Sequence, residues 1–195
     1  MTNTNTLSRR AAVKHILADR GDALTVSSLG GPSYDVAAVQ VDFDGDFPLG
    51  GAMGQATMVG LGLALSQPRR RVIIFAGDGE MLMSLGSLAT IGAEKPDNLA
   101  IVVIDNEHYA ETGMQRTHTG RGVDIAAVAA ACGFATVRTV RSLADLEEAT
   151  PLIHSAPGPV FVTLKVSNEV GELFPRNRDG VWQKGQFRRA LLGHV

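Results

Sequence analysis

Uninterrupted apolar runs alternate along the chain with stretches in which apolar residues recur at helical spacing. Continuous runs rich in β-branched residues are typical of strands covered on both faces, whereas recurrence every three to four residues is typical of helices. We predict strands at 23–27, 71–76, 99–105, 135–140 and 159–166. We predict helices at 7–21, from Pro32 onward, and at 52–67, 80–94, 124–133 and 142–155.

This alternation predicts the α/β class, with an open, mostly parallel sheet of about five to six strands and helices on both faces. The runs 71–76 and 99–105, with the helix between them, form a strand, helix, strand unit. Such a unit joins two parallel strands by a right-handed crossover. The segment 42–51 is predicted to be an acidic loop.

The alternation ends before the C-terminal stretch, which contains the single tryptophan, Trp182. We therefore expect an α/β domain over 1–166, with its core from about 7 to 166, and a tail over 167–195. Two arrangements of the tail remain open at this point. It packs on a partner, or it packs back on its own domain.

Composition narrows the class of protein. The 195 residues are 45% hydrophobic, enough for one sizeable core, and the formal net charge of -2 makes nucleic acid an unexpected partner. No run of about 18 apolar residues is present to span a bilayer, and the N-terminal stretch lacks an apolar signal segment, so we expect a cytoplasmic protein. The single cysteine, Cys132, excludes a disulfide within the chain and is expected to pack as a small apolar residue.

The candidate chemistry begins with Asp78, which lies between Gly77 and Gly79 where a predicted strand passes into a helix. The carboxylate either caps that helix or serves a ligand at the carboxyl edge of the sheet. A bare carboxylate repels phosphate, so a phosphate site here needs a cation such as Mg²⁺. The segment lacks the third glycine of a dinucleotide fingerprint and the lysine of a P-loop.

Asn106 follows the next predicted strand, 28 residues after Asp78. Because the carboxyl ends of neighbouring parallel strands meet at one edge, we expect the two side chains to lie close together. Carboxylate and amide oxygens are hard ligands that suit Mg²⁺. The pair therefore favours the ligand interpretation of Asp78 over the capping one.

The GDG at 77–79 followed at this spacing by Asn106 resembles the metal motif of the diphosphate-binding domain of thiamine-diphosphate (ThDP) enzymes. The resemblance implies Mg²⁺ held by the side chains of Asp78 and Asn106 and by the carbonyl of His108. It also covers "LGGAMGQA" at 49–56. There it implies that the carbonyl of Gly51 accepts a hydrogen bond from the cofactor's aminopyrimidine and that Met53 is the apolar wedge that bends the cofactor. The implied cofactor-binding residues are Gly51, Met53, Gly77, Asp78, Gly79, Glu80, Asn106, His108 and Tyr109.

Further stretches resemble the β subunit of sulfopyruvate decarboxylase and the matching half of phosphonopyruvate decarboxylase, for example "GDGEMLMSLGSLATIG". The resemblance implies ThDP- and Mg²⁺-dependent decarboxylation of a 2-oxo acid that carries a second anionic group. Three alternatives remain open. They are a carboligase of the acetolactate-synthase type, a non-catalytic ThDP-binding subunit, and a Mg²⁺-dependent phosphate-binding domain unrelated to thiamine.

ThDP enzymes also need a pyrimidine-binding domain that supplies an activating glutamate, and one α/β domain leaves no room here for a second of roughly 150 residues. We therefore expect a separate pyrimidine-binding α subunit in an α2β2 or larger assembly. Glu111 and His118 are candidates for proton transfer. Arg116, His118 and Arg121 are candidates for binding the second anion of the substrate.

Overall fold

A computed structural model of the chain describes residues 7–169, 171, 173 and 177–193. The strands are β1 (Leu24–Ser27), β2 (Asp46–Pro48), β3 (Val72–Gly77), β4 (Leu99–Asp105), β5 (His108–Tyr109), β6 (Gln115–Arg116), β7 (Thr136–Val140) and β8 (Val160–Lys165). The α-helices are α1 (Arg9–Leu17), α2 (Gly31–Ala37), α3 (Ala56–Ser66), α4 (Asp78–Met83), α5 (Leu85–Glu94), α6 (Ile125–Ala131), α7 (Leu143–Ser155) and α8 (Gly180–Leu192). Short 3-10 helices lie at Ala110–Thr112 and Thr119–Arg121.

Six strands form one sheet in the order β2-β1-β3-β4-β8-β7. Every pair in this sheet is parallel, and a separate antiparallel pair is formed by β5 and β6. Helices cover both faces. One core contains side chains of α3, α5, α6 and α8, and the other contains side chains of α1, α2 and α7. The predicted fold class is therefore confirmed.

The central strand β4 shows why continuous apolar runs form this sheet. Its odd-numbered apolar residues, such as Ile101 and Val103, belong to the core under α3 and α5. Its even-numbered ones, such as Val102 and Ile104, belong to the core under α1 and α7. Because successive side chains point to opposite faces, a strand covered on both sides must be apolar at every position.

The prediction of an acidic loop over 42–51 was wrong in its middle, which contains β2 at the edge of the sheet. The carboxylate of Asp46 in this strand accepts a hydrogen bond from Oγ1 of Thr25 at 2.5 Å. It also forms an ion pair with Arg20, at a distance of 2.7 Å. Phe47 packs its ring 4.9 Å from that of Phe187 in α8. These contacts come from distant parts of the chain, so the local pattern did not indicate the strand.

The predicted helix over 80–94 is two helices, because Ser84 leaves helical geometry at φ -121° and ψ 28°. The Ser84 N–H group bonds to the carbonyl of Met81, three residues earlier, which ends α4 in a tight turn. The first helix was also predicted to run to Gly21, but α1 ends at Leu17. These differences concern element boundaries and leave the order of elements unchanged.

The described part of the tail contains α8, which contacts the domain that precedes it. Besides the Phe187 contact, the carbonyl of Ala190 accepts a hydrogen bond from Nη1 of Arg70 at 2.8 Å. Residues 170, 172, 174–176 and 194–195 of the predicted tail lie outside the described residues. No helix in the described part of the chain is both long enough and apolar enough to cross a membrane.

Candidate cofactor site

The candidate site lies at the carboxyl edge of the sheet, at the point where the order of strands changes direction. The chain passes from β1 to β2 on one side, whereas β3 and β4 lie on the other side of β1. Open α/β sheets bind their ligands outside such a point. A cavity of about 190 Å³ opens here between the segments that follow β1, β3, β4 and β5.

Asp78, the first residue of α4, contributes a carboxylate that is only 2% exposed. Thr117 Oγ1 donates to its Oδ2 atom at 2.5 Å, and Thr119 Oγ1 lies 3.1 Å from the same atom. Both hydroxyls thus contact Oδ2 of Asp78, and neither contacts Oδ1. The cap position of α4 is Gly77, with no side-chain cap, so Asp78 does not cap the helix from outside.

Burial, and then the nearby charge of Asp105, raise the pKa of Asp78 to about 6. The hydroxyl groups of Thr117 and Thr119 act in the opposite direction. Asp105 itself accepts a hydrogen bond from Thr119 Oγ1 at 2.8 Å and pairs with Nζ of Lys165 at 2.7 Å. A cation beside Asp78 would therefore offset the excess of negative charge at this edge.

The turn after β4 places Asn106 and His108 at the cavity. The backbone N–H of His108 donates to Oδ1 of Asn106 at 3.1 Å, and the His108 ring atom Nδ1 lies 2.9 Å from the Asn106 carbonyl, to which it donates. Glu107 between them has φ 66°, a conformation that non-glycine residues rarely adopt. Its carboxylate is tied to Lys165 at 3.0 Å, which helps to hold this turn.

Glu80, in the first turn of α4, connects the cavity to the loop before α3. Its Oε1 accepts a hydrogen bond from the backbone N–H of Ala56 at 3.1 Å, and the residue is 4% exposed. Burial raises the pKa of Glu80, although the Ala56 N–H group works against that shift. The contact fixes the start of α3 relative to α4, and with it the loop in which Met53 lines the cavity.

Two glycines allow side chains to come close to the backbone around the cavity. A Cβ atom at Gly79 would overlap the ring of Tyr109, and one at Gly30 would lie 2.7 Å from Oε1 of Glu111. Both Tyr109 and Glu111 line the cavity. Gly30 also has φ 75°, which a residue with a side chain rarely adopts.

The structure brings most of the predicted residues together at this one cavity. Those that line it are Met53, Gly77, Asp78, Gly79, Glu80, Asn106, His108, Tyr109 and Glu111. Gly51, His118 and Arg116 are not among its lining residues, and all three are exposed. Arg116 instead donates from Nη2 to the carbonyl of Gly120 within its own loop.

Three residues at the site were missed by the sequence reasoning. Thr117 and Thr119 contact Asp78, and Arg9 lines the cavity from the start of α1. Threonines in a polar loop and an arginine on an amphipathic helix give no local signal of a site. A motif search confined to the neighbourhood of Asp78 and Asn106 does not reach them.

Within the described residues, no three His, Cys, Asp or Glu side chains come together to form a metal site. A cation at Asp78 would need other kinds of ligand. An amide oxygen at Asn106 and a backbone carbonyl at His108 are of the hard type that Mg²⁺ accepts, and Mg²⁺ commonly completes its shell with phosphate oxygens. The residues present therefore fit a magnesium–diphosphate group.

Comparison with known proteins gives a family match over residues 44–164, to the C-terminal TPP-binding domain of the thiamine pyrophosphate enzymes. A phosphonopyruvate decarboxylase from Streptomyces viridochromogenes is 44% identical over 82% of this chain and 40% of its own length. The β subunit of sulfopyruvate decarboxylase from Methanothermobacter thermautotrophicus is 41% identical over 82% of both chains.

Among solved structures, the benzoylformate decarboxylase from Polynucleobacter necessarius is similar, with a TM-score of 0.68. It is 22% identical and covers 86% of this chain and 34% of its own. That likeness supports the fold alone. The chain thus spans about two-fifths of the phosphonopyruvate decarboxylases it matches, and four-fifths of a chain named as a β subunit.

Proposed function

The chain belongs to the thiamine pyrophosphate enzyme family, as a C-terminal TPP-binding domain, and from that premise we propose that it is the diphosphate-binding subunit of a 2-oxo acid decarboxylase. The substrate class is a 2-oxo acid with a second anionic group, such as sulfopyruvate or phosphonopyruvate. The support for this class is the identity of 41% and 44% to relatives that carry those names.

The observation that carries the proposal is the buried carboxylate of Asp78 in one cavity with Asn106 and His108. We propose that the side chains of Asp78 and Asn106 and the carbonyl of His108 hold Mg²⁺. The metal then offsets the charge of the carboxylate and binds the diphosphate. Gly79 leaves room for the Tyr109 ring beside this group.

When bound, ThDP supplies a thiazolium carbon that adds to the 2-oxo group and an electron sink for the loss of CO₂. The chain's own residues orient the cofactor and surround it. We propose that Met53, which lines the cavity, supports the cofactor's bent shape, and that the carbonyl of Gly51 in the same loop binds the aminopyrimidine. Glu111 is the candidate for proton transfer that lines the cavity, and this role goes to it rather than to His118.

We further propose that a pyrimidine-binding α subunit supplies the activating glutamate in an α2β2 or larger assembly. The β-subunit names of similar chains support a two-chain enzyme. The surface of α3 gives independent support, since this helix contains no charged residue. Apolar side chains of α3 and of the end of α4 are 36–63% exposed, namely Met58, Val59, Leu65 and Met83. Such a surface is typical of one that a partner covers.

The test is co-expression with the product of a neighbouring gene for a pyrimidine-type domain, followed by calorimetry and a CO₂-release assay. We expect ThDP binding that depends on Mg²⁺, and release of CO₂ from sulfopyruvate or phosphonopyruvate in preference to pyruvate and aromatic 2-oxo acids. The Asp78→Ala variant is expected to lose both. A complex that binds no ThDP in the presence of Mg²⁺ contradicts the cofactor proposal. Formation of a condensed 2-hydroxy acid from two 2-oxo acids would favour the carboligase alternative.

A further inference from the structure

Arg9, the first residue of α1, contributes the only lysine or arginine side chain among the described residues that line the cofactor cavity. The other ionisable groups there are mostly acidic, namely the carboxylates of Asp78, Glu80 and Glu111. The Arg9 side chain is 14% exposed. A guanidinium of this kind, held at a cavity proposed to bind anions, requires a physical reason for its position.

Asp35 of α2 accounts for only part of that reason. Its carboxylate is fully buried and lies 3.1 Å from Nε of Arg9 and 3.2 Å from Nε of Arg10. Arg10 Nε donates a hydrogen bond to Oδ1 of Asp35, whereas the buried Nε of Arg9 makes no hydrogen bond within the described residues. The first turn of a helix is also the end where the helix dipole disfavours cations, and both arginines lie in that turn of α1.

The guanidinium of Arg9 lies at the wall of the cavity. Its Nε atom lies 3.1 Å from Oδ2 of Asp35 without a hydrogen bond, and its Nη1 atom lies over the backbone of Gly31, where a Cβ atom would collide with it. Gly31 also lines the cavity. Nη1 therefore lies against the segment after β1, on the wall of the site, while Nη2 is also close to Gly171 of the tail. Arg10 does not line this cavity.

We propose that Arg9 binds a tetrahedral oxyanion in the cofactor cavity, a phosphate, phosphonate or sulfonate group, through the Nη side of its guanidinium. This inference rests on the proposed function. The proposed cofactor and substrate each contain such an oxyanion, namely the terminal phosphate of ThDP and the second anionic group of the substrate. The planar fork of arginine suits such oxygens and holds its charge at every working pH.

The same inference changes the assignment of the anion-binding residue made from sequence. Arg116 and Arg121 are exposed and do not line the cavity. Arg9 comes from a helix about 100 residues earlier in the chain, and only the packing of α1 against α2 brings it to the site. It is therefore the better candidate of the three for contact with a bound oxyanion.

The experiment compares Arg9→Gln and Arg9→Lys with the matched variants Arg10→Gln and Arg10→Lys in the assembled two-chain enzyme. Each Gln variant removes one of the two partners of Asp35, so loss of that ion pair is common to both. Calorimetry with Mg²⁺ measures the Kd of ThDP and of thiamine monophosphate. Kinetics measure KM and kcat for sulfopyruvate, phosphonopyruvate and pyruvate.

If the terminal phosphate is the ligand, Arg9→Gln weakens ThDP binding at least about tenfold and leaves thiamine monophosphate binding within about twofold. If the substrate anion is the ligand, the Kd of ThDP is unchanged. In that case KM rises at least about tenfold for sulfopyruvate or phosphonopyruvate, but not for pyruvate, which lacks the second anion. Arg9→Lys, which keeps the charge without the fork, is expected to lie between wild type and Arg9→Gln.

Equal behaviour of the Arg9 and Arg10 variants in every one of these measurements overturns the inference. Should Arg9→Gln fail to fold, the comparison of Arg9→Lys with Arg10→Lys decides by the same criterion. A wild-type complex that binds no ThDP contradicts the proposed function directly, before any variant is compared, and the inference for Arg9 falls with it. Binding by the wild type with no specific loss at Arg9 contradicts the inference alone.

Discussion

Replacement of Thr117 by valine is expected to destabilise the metal-free protein through its effect on Asp78. Thr117 is fully buried, and its hydroxyl is the nearest donor to Oδ2 of that carboxylate, at 2.5 Å. Valine has a similar shape but no hydroxyl, so the change removes a hydrogen bond without opening a large cavity. Because valine fills the volume of the threonine side chain, no space for a water molecule opens at the position of the lost donor.

The magnitude follows from the proton inventory. Thr119 has one hydroxyl proton and two acceptors, Asp105 at 2.8 Å and Asp78 at 3.1 Å, so it cannot serve both carboxylates. Thr117 is therefore the main hydroxyl donor to Asp78. A hydrogen bond to a charged group contributes about 1.5–3 kcal/mol, and we expect the free energy of unfolding to fall by that amount.

The assay is urea unfolding in EDTA at pH 8, where the Asp78 carboxylate is ionised. Thr117→Ser serves as the control, since it keeps the hydroxyl and is expected to lose about 1 kcal/mol for the missing methyl group. A double-mutant cycle with Asp78→Asn isolates the charged part of the interaction, for which we expect a coupling of about 1 kcal/mol. The reasoning is refuted if Thr117→Val costs the same free energy with and without the Asp78 carboxylate.

Three further predictions concern the glycines and the cation. Gly79→Ala forces the Tyr109 ring away from α4 and is expected to weaken Mg²⁺-dependent ThDP binding at least about tenfold by calorimetry; unchanged affinity would exclude a role for this contact. Gly92→Ala places a Cβ atom against the backbone carbonyl of Cys132 and is expected to lower the free energy of unfolding by about 2 kcal/mol or more. The Cβ atom of Gly86→Ala meets open space within a helix, so this variant is expected to raise the free energy of unfolding by about 0.5–1 kcal/mol. ThDP at a hundredfold excess over its Kd is expected to stabilise the protein by about 2.7 kcal/mol, and removal of Mg²⁺ is expected to abolish this stabilisation. An equal rise in the unfolding temperature with ThDP in EDTA would contradict a metal-bridged diphosphate.

The fold could be predicted from the sequence where a strand is a continuous apolar run. The runs that became β3, β4 and β8 are buried along almost their whole length, so their apolar character is continuous. The short edge strand β2 carries no such signal, because its pairing depends on the Thr25 and Arg20 contacts of Asp46. The break at Ser84 was also missed, since both of the helices it separates are apolar on the buried side.

The candidate site divides in the same way. Asp78, Asn106 and Met53 were identified because each lies in a short stretch whose residue types and spacing match a known cofactor domain. That the chain belongs to the thiamine pyrophosphate enzymes is confirmed, while the role of each individual residue stays a prediction. Glu111 was named among several loop residues, and only the structure separates it from His118 and Arg116 by placing it at the cavity.

The class of fold, the family and the carboxyl-edge position of Asp78 and Asn106 follow from residue patterns within single elements and from the order of those elements. The groups that surround the Asp78 carboxylate depend instead on the packing of distant segments. Thr117 and Thr119 reach Asp78 across about 40 residues of chain, and Arg9 reaches the same cavity from α1. Contacts of this kind arise from how helices and loops pack on the sheet, and no local pattern of residues encodes them.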